Sequence, residues 1–264
     1  MKTAILLLAM LMCSSALARQ VLNIQQENGP VIAVPTLIGD YLVSYELFRS
    51  GQRRGTAQRQ MIEGTDGKHT LTMHAQASLF FYHIKTCERS QFLFASGSLM
   101  PLTYDEIDSR SFKDKKTLHL EFNHSKALLR GANGKEDWSH PFTGEVFDPL
   151  LAVEYLRLIA QKGEYTDVQF PVYDDKTFSQ YRFIYQGLEN VNTSLGAFKT
   201  VKYTRVRDNS TRRTSFWLAI DNQFIPIKVR QEKDGDEQAT LIIASPILRS
   251  NTATLGSYKE KIKC

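Results

Sequence analysis

From residue 41 to residue 244 apolar side chains recur mainly at every second position, in short runs separated by turn-forming residues. A period of two is the signature of strands with one covered face. Residues 116–123 show it plainly: Leu118, Leu120 and Phe122 fall on one face, and Thr117, His119, Glu121 and Asn123 on the other. The same reading places strands at 41–49, 57–63, 69–75, 78–85, 91–95, 167–172, 178–185, 198–206 and 239–244, with turns such as Thr65-Asp66-Gly67 between them. Tyr181, Phe183 and Tyr185 share a face, an aromatic row expected to point inward. The stretch TSFWLAIDNQFIPIKVR, 214–230, reads as a hairpin around Asp221-Asn222-Gln223. Phe216, Leu218 and Ile220 take one face and Trp217 the other, while Pro226 confines the second strand to an edge, an end or a bulge.

One segment departs from the period of two. In FDPLLAVEYLRLIAQKGE, 147–164, Asp148 is a good N-cap, Pro149 suits the first helical position and Gly163 suits the end. Glu154, Arg157 and Gln161 form one narrow polar stripe, and apolar residues fill the rest of the circumference. A helix apolar over so wide an arc is surrounded. The expected fold is therefore mainly β (α+β), a curled antiparallel sheet or half-barrel of many short strands enclosing one main helix at about 148–161. On this pattern Leu156→Ala should cost about 2–5 kcal/mol, and Arg157→Ala, on the polar stripe, should change stability little.

The first eighteen residues stand apart. Lys2 supplies a positive start, 4–12 is an unbroken apolar run, and Ala16-Leu17-Ala18 is a small-x-small cleavage site, the pattern of a secretory signal peptide. Met12 before Cys13 does not suit lipoprotein processing, so cleavage is expected after Ala18. No other stretch approaches the apolar length needed to cross a bilayer, and the mature chain is expected to lack a transmembrane segment. The expected organisation is a signal peptide at 1–18, an extension at 19–38, a single β-rich domain at 39–248 and a polar tail at 249–264.

Losing Lys2 from 33 basic residues against 28 acidic ones leaves a net charge of +4. So mild and scattered a balance does not point to nucleic acid. Cleavage also removes Cys13, leaving Cys87 and Cys264 in a chain bound for an oxidising compartment. The even count favours a Cys87–Cys264 bridge, with two separate thiols as the alternative. No phosphate loop, nucleophile elbow or paired metal histidines occur, so no catalytic residue, metal or cofactor is assigned. Asp105, Glu106 and Asp108, and Asp234-Gly235-Asp236, read as turns because neither group has the spacing of a calcium loop.

Four segments in order, GSLMPLTYDEIDSR (97–110), FDPLLAVEYLRL (147–158), YRFIYQGLENVNTSLGAFKTVKYTRVR (181–207) and the hairpin at 214–230, resemble the exported bacterial family DUF3108. The resemblance implies a periplasmic location in a Gram-negative envelope and a mostly antiparallel curved sheet, and no activity. Three jobs fit it. The first is a noncatalytic module holding a lipid or other apolar ligand between sheet and helix. The second is an envelope assembly or scaffold protein with a filled core and a protein partner. The third is a hydrolase with a dispersed site. Tyr155, Phe183, Tyr185 and Trp217 are the residues expected to line a cavity if there is one; ordinary core is the other reading of the same four.

Overall fold

A computed structural model describes residues 39–95, 97–174 and 176–249. The expected signal peptide, the 19–38 extension, Cys264 and all but the first residue of the polar tail lie outside the described residues. The rest is one antiparallel sheet of fifteen strands and one α-helix. In chain order the strands are β1 (Tyr41–Arg49), β2 (Gln52–Glu63), β3 (His69–Leu79), β4 (Tyr82–Ala95), β5 (Ser98–Arg110), β6 (Lys116–Asn123), β7 (Leu128–Ala132), β8 (Asp137–Pro141), β9 (Val168–Asp174), β10 (Thr177–Thr193), β11 (Gly196–Val206), β12 (Arg213–Ala219), β13 (Ile225–Lys233), β14 (Asp236–Ile243) and β15 (Leu248–Arg249). The helix α1 spans Leu151–Gln161, between β8 and β9.

Two meanders, β1 to β8 and β9 to β14, are joined where β1 pairs with β14, so the spatial order runs from β8 through β1 and β14 to β9, with β15 on β1. The sheet is open, because β8 and β9 do not pair. Its ends nevertheless meet through side chains. Trp138 Nε1 on β8 donates to the Tyr173 hydroxyl on β9 at 2.6 Å, Lys176 pairs with Glu136, and His140 packs edge-on against Tyr173 and Phe178. The backbone of Phe147 covers the free edge of β9, donating to Pro171 O and accepting from Tyr173 N. Those groups would otherwise be an unpaired edge.

Gly131 makes the seam at β8 fit. Directly opposite Trp138 in the register, it leaves room for the indole: a Cβ at 131 would lie 2.3 Å from Trp138 Cε2. Gly131→Ala is therefore expected to expel the indole from its bond to Tyr173 and cost about 1–3 kcal/mol. Thermal unfolding with tryptophan fluorescence checks this, and an unchanged midpoint with an unchanged spectrum would count against it.

The strands are longer than their sequence pattern suggests: β10 has 17 residues, β4 has 14 and β5 has 13. Bulges at Tyr185/Gly187 and Gln91/Phe92 absorb phase slips in the alternation, and each slip reads as a strand end in the sequence. The expected strand at 78–85 in fact spans the β3–β4 turn. Asp105, Glu106 and Asp108, expected in a turn, lie within β5. Pro226 sits at the β12–β13 bulge, where Trp217 pairs with Lys228 and Leu218 with Pro226.

The helix begins as its sequence predicts. Asp148 Oδ1 accepts from the amides of Leu150 and Leu151 at 3.0 and 2.8 Å, and Gly163, with φ +78°, follows the last turn. Leu151, Leu156 and Leu158 are buried, as expected. The polar stripe is not in water: Glu154 and Arg157 are both 0% exposed. Glu154 Oε1 accepts from the Tyr41 hydroxyl on β1 at 2.8 Å and from Arg59 Nη2 on β2 at 2.7 Å. Its other oxygen accepts from Arg157, whose Nη2 reaches Gln223 O at 2.7 Å. Arg59 Nε donates to the Tyr41 oxygen at 3.1 Å. The stripe thus faces a buried arginine of the sheet, which corrects the expectation that Arg157 is solvated.

Candidate functional site

The antiparallel register stacks the inward side chains of β1 to β6 into rows across the sheet. The first row, Tyr41, Met61, Leu71, Ser90, Tyr104 and Leu120, is buried throughout. α1 sits over it, tied by Glu154 to Tyr41 and by Asp148 Oδ1 to the Ser90 hydroxyl at 2.7 Å. In the second row Val43 and Arg59 are buried, but Met73, Glu88, Glu106 and Leu118 are half-buried. The third row runs Tyr45, Ala57, Ala75, Thr86, Asp108 and Lys116, and the fourth Leu47, Gly55, Ala77, Ile84 and Arg110; both end on an exposed cation. Exposure rises with distance from the helix. The inward face is therefore filled at the helix and open toward the hairpin turns at 50–51 and 80–81.

The second row carries the site's electrostatics. Glu88 and Glu106 stand directly opposite each other on β4 and β5, an unfavourable pairing when both are charged. Burial first, and then the charge of Glu106, push the Glu88 carboxyl up to about 7, and the Tyr104 hydroxyl donates to it at 3.1 Å. Glu106 is also raised, by burial and then by Asp174 from the far end of the sheet. Asp148 adds a third acid. Its Oδ1 is satisfied by two amides and Ser90, while its buried Oδ2 has no hydrogen-bond partner among the described residues, and burial raises it to about 6. Glu154 behaves oppositely: burial alone would raise it, but Arg157 and Arg59 outweigh burial and hold it down to about 2. The Arg59–Glu154–Arg157 group is consequently a closed ionic clamp, and Glu88, Glu106 and Asp148 form a protonatable patch beside it. Among the described residues no group of acids, histidines and cysteines has the arrangement of a metal site.

Beyond this patch the inward face becomes apolar. A concavity of about 200 Å³ is lined mostly by apolar side chains, Leu47, Ala75, Ala77, Leu79, Tyr82 and Ile84 with Ala239 from β14, and also touches Arg49, Arg54, Gln76, Ser78, Thr86 and Gln238. Two larger hollows, about 410 and 540 Å³, are lined mainly by polar outward residues such as Glu46, Gln58 and His74, and Arg53, Ser78 and Lys85.

The four residues expected to line a cavity lie elsewhere. Phe183 is buried in an aromatic stack with Phe170 and Phe216, centroids 5.5 and 5.9 Å away. Tyr155 on α1 stacks on Phe147 at 4.3 Å and meets Phe170 edge-on, so these two share one cluster. Tyr185 joins Tyr165 and Tyr203. Trp217 is on the opposite face, between the ammonium groups of Lys202 and Lys228 at 4.7 and 4.4 Å from its ring, and its Nε1 donates to Glu189 at 2.9 Å. The indole is thus buried within the hydrophobic core cluster while carrying two ammonium groups over its ring and a carboxylate on its N–H. None of the four lines the three hollows described above.

Sequence reasoning missed Glu88, Glu106 and Tyr104. A signal was available: Thr86, Glu88 and Ser90 alternate with Cys87 and Arg89 in phase with Ile84. Polar residues on what proves to be the inward face hid it.

The sequence profile of DUF3108, a family of proteins of unknown function, matches residues 40–242. This chain belongs to that family. The match spans the region from the start of β1 almost to the end of β14. No curated protein matches the chain. Among solved structures, a β-barrel-like protein of domain of unknown function DUF1849 from Brucella abortus is 10% identical, covers 82% of this chain and 100% of its own, and superposes with a TM-score of 0.55. That likeness is one of fold. A Parabacteroides distasonis protein assigned as a lipoprotein, also 10% identical, covers 79% of this chain and 95% of its own at a TM-score of 0.30, too low to carry an argument.

Proposed function

We propose that this DUF3108 member is a noncatalytic protein of the periplasm, exported by cleavage after Ala18, whose sheet curls around α1 and receives an apolar chain at the end away from the helix. The observation that carries this reading is the change along the inward face. The rows beside α1 are closed and filled, whereas the rows near the turns are half-exposed and end in an apolar hollow. At about 200 Å³ the hollow is smaller than an ordinary ligand pocket, roughly 300 Å³ or more. It suits a segment of an acyl chain whose remainder stays outside. The patch of Glu88, Glu106 and Tyr104 would then be a polar floor that limits how deep the chain goes.

The filled core around Leu151, Leu156 and Phe183 favours the second reading, an envelope assembly protein acting through its surface. Cys87 is engaged in a disulfide; Cys264 is the proposed partner and lies outside the described residues. Mass spectrometry of protein purified gently from the periplasm addresses all of these points. The expected denatured, unreduced mass begins at Arg19 and is two hydrogens below the reduced value, and the expected native mass includes a lipid-sized adduct. Bare protein by native mass, together with no uptake of a fluorescent fatty acid, would leave the assembly reading.

A further inference from the structure

Three phenylalanines stand in water at the open end of the sheet. Phe80 and Phe81 form the β3–β4 turn and Phe112 the β5–β6 turn, and they are 85%, 77% and 82% exposed. Phe81 and Phe112 touch edge to face, with centroids 6.2 Å apart, so the two turns present one continuous aromatic tip. Three rings exposed to this degree show roughly 400 Å² of apolar surface, the size of patch that marks an interaction site. The backbone adds to the cost of the arrangement. Phe80 and Phe112 have φ of 56° and 64°, the left-handed region where glycine or asparagine is ordinary and a bulky side chain is strained. Folding alone gains nothing from phenylalanine at either position.

What surrounds the tip indicates the partner. The segments 79–85 and 110–116 contain Lys85, Arg110, Lys113, Lys115 and Lys116 and a single acid, Asp114. Arg110 is paired with Asp108. Lys85, Lys113 and Lys115 are exposed and, like Arg49 on the neighbouring turn, make no ion pair among the described residues. Aromatic rings at the apex with a collar of unpaired cations behind them match the layering of a bilayer surface, where apolar groups reach the acyl boundary and lysines remain among anionic headgroups. Leu79 and Tyr82, which flank Phe80 and Phe81, also line the apolar hollow, so the tip borders its entrance.

We infer that the Phe80–Phe81–Phe112 tip docks the protein onto an anionic phospholipid bilayer, with Arg49, Lys85, Lys113 and Lys115 against the headgroups. This docking stands on the two turns alone and holds whether or not the hollow takes a ligand. A protein that binds vesicles but retains no ligand keeps this inference and loses the one before it.

The test is co-sedimentation of the full exported protein with vesicles of phosphatidylethanolamine and phosphatidylglycerol, beside vesicles of phosphatidylcholine. Wild type is expected to bind the anionic vesicles, and more weakly as salt is raised. Phe80→Ser, Phe81→Ser and Phe112→Ser together should weaken binding at least about tenfold while leaving the unfolding midpoint unchanged or higher, since the rings pack on nothing large. Lys113→Glu with Lys115→Glu should abolish the preference for anionic vesicles with the phenylalanines intact. Failure of wild type to bind either vesicle overturns the inference, as does equal binding by the triple-serine variant. A wild-type dimer that becomes monomeric in the triple-serine variant, with no vesicle binding, would overturn it in favour of a second copy of the chain.

Discussion

Alanine in place of Arg157 is expected to destabilise the fold by about 3–5 kcal/mol, at least matching Leu156→Ala at about 2–5 kcal/mol. Both positions are 0% exposed, but they fail in different ways. Leu156→Ala leaves a void. Arg157→Ala leaves Glu154, itself 0% exposed, with one of its two buried cations removed, stranding charge where water does not compensate, and also takes the donor from Gln223 O at the edge of the clamp. The net worth of the assembled clamp is a separate quantity, because three ions were desolvated to build it. Replacing Arg59, Glu154 and Arg157 together by methionine, leucine and methionine should therefore recover most of the loss. Urea unfolding of the single and triple variants measures both effects. Arg157→Ala within about 0.5 kcal/mol of wild type would mean that the helix face is solvated after all. The clamp also has an acid limit. Since Glu154 is held down to about 2 from an ordinary 4.5, its contribution is complete above the ordinary value and is lost as pH falls toward 2.

Arg157 also shows where the sequence stops being readable. Its place on a stripe with Glu154 follows from helical periodicity alone, and the stripe exists. What the stripe faces depends on Arg59, nearly a hundred positions earlier on another element, and no local pattern announces that β2 turns a charged side chain inward. The same limit applies to Glu88 and Glu106. A period of two assigns residues to two faces, but it identifies the inward face only by its apolar members, and here the inward face of β4 and β5 is polar for two rows. Where the inward face is apolar, as in β1 and β6, element limits and facing are legible from the chain. In β12 the opposition of Phe216 and Leu218 to Trp217 is legible, but Ile220, expected on the same face as Phe216, begins a short 3-10 turn after the strand ends at Ala219. Trp217 is a milder case. Its opposition to Phe216 was legible, but its cover, Lys202 and Lys228, comes from neighbouring strands whose register the sequence does not state. The aromatic tip was hidden for a similar reason, since Phe80 and Phe81 look like the middle of an apolar strand until the turn between Leu79 and Tyr82 is seen.

Raising the pH from about 5 to about 8 is expected to weaken the fold by an amount on the order of 2–3 kcal/mol, with Glu88 the main source. Glu88 keeps its proton to about 7 in the folded chain against an ordinary 4.5, and Asp148 to about 6 against 3.8. Between each ordinary value and its raised one the folded state binds more protons than the unfolded state, so stability falls with pH across that window and levels off above about 7. The groups around Glu88 are Tyr104, Glu106, Asp148 and Arg59; the acids add to the penalty, and Arg59, already committed to Glu154 and Tyr41, offsets only part of it. Glu88→Gln keeps the shape and an acceptor for the Tyr104 hydroxyl but cannot ionise. It should remove most of the slope, leaving a remainder that ends near pH 6. Asp148→Asn, which still offers an oxygen to the helix amides, should remove that remainder. Urea midpoints collected from pH 5 to 8 read the result directly. A slope in Glu88→Gln equal to that of wild type would place the titrating groups elsewhere. A wild type whose stability rises over this range would mean that the interior at Glu88 is wet enough to carry a full charge, with a cation or water on the polar floor and no room there for the end of an apolar chain.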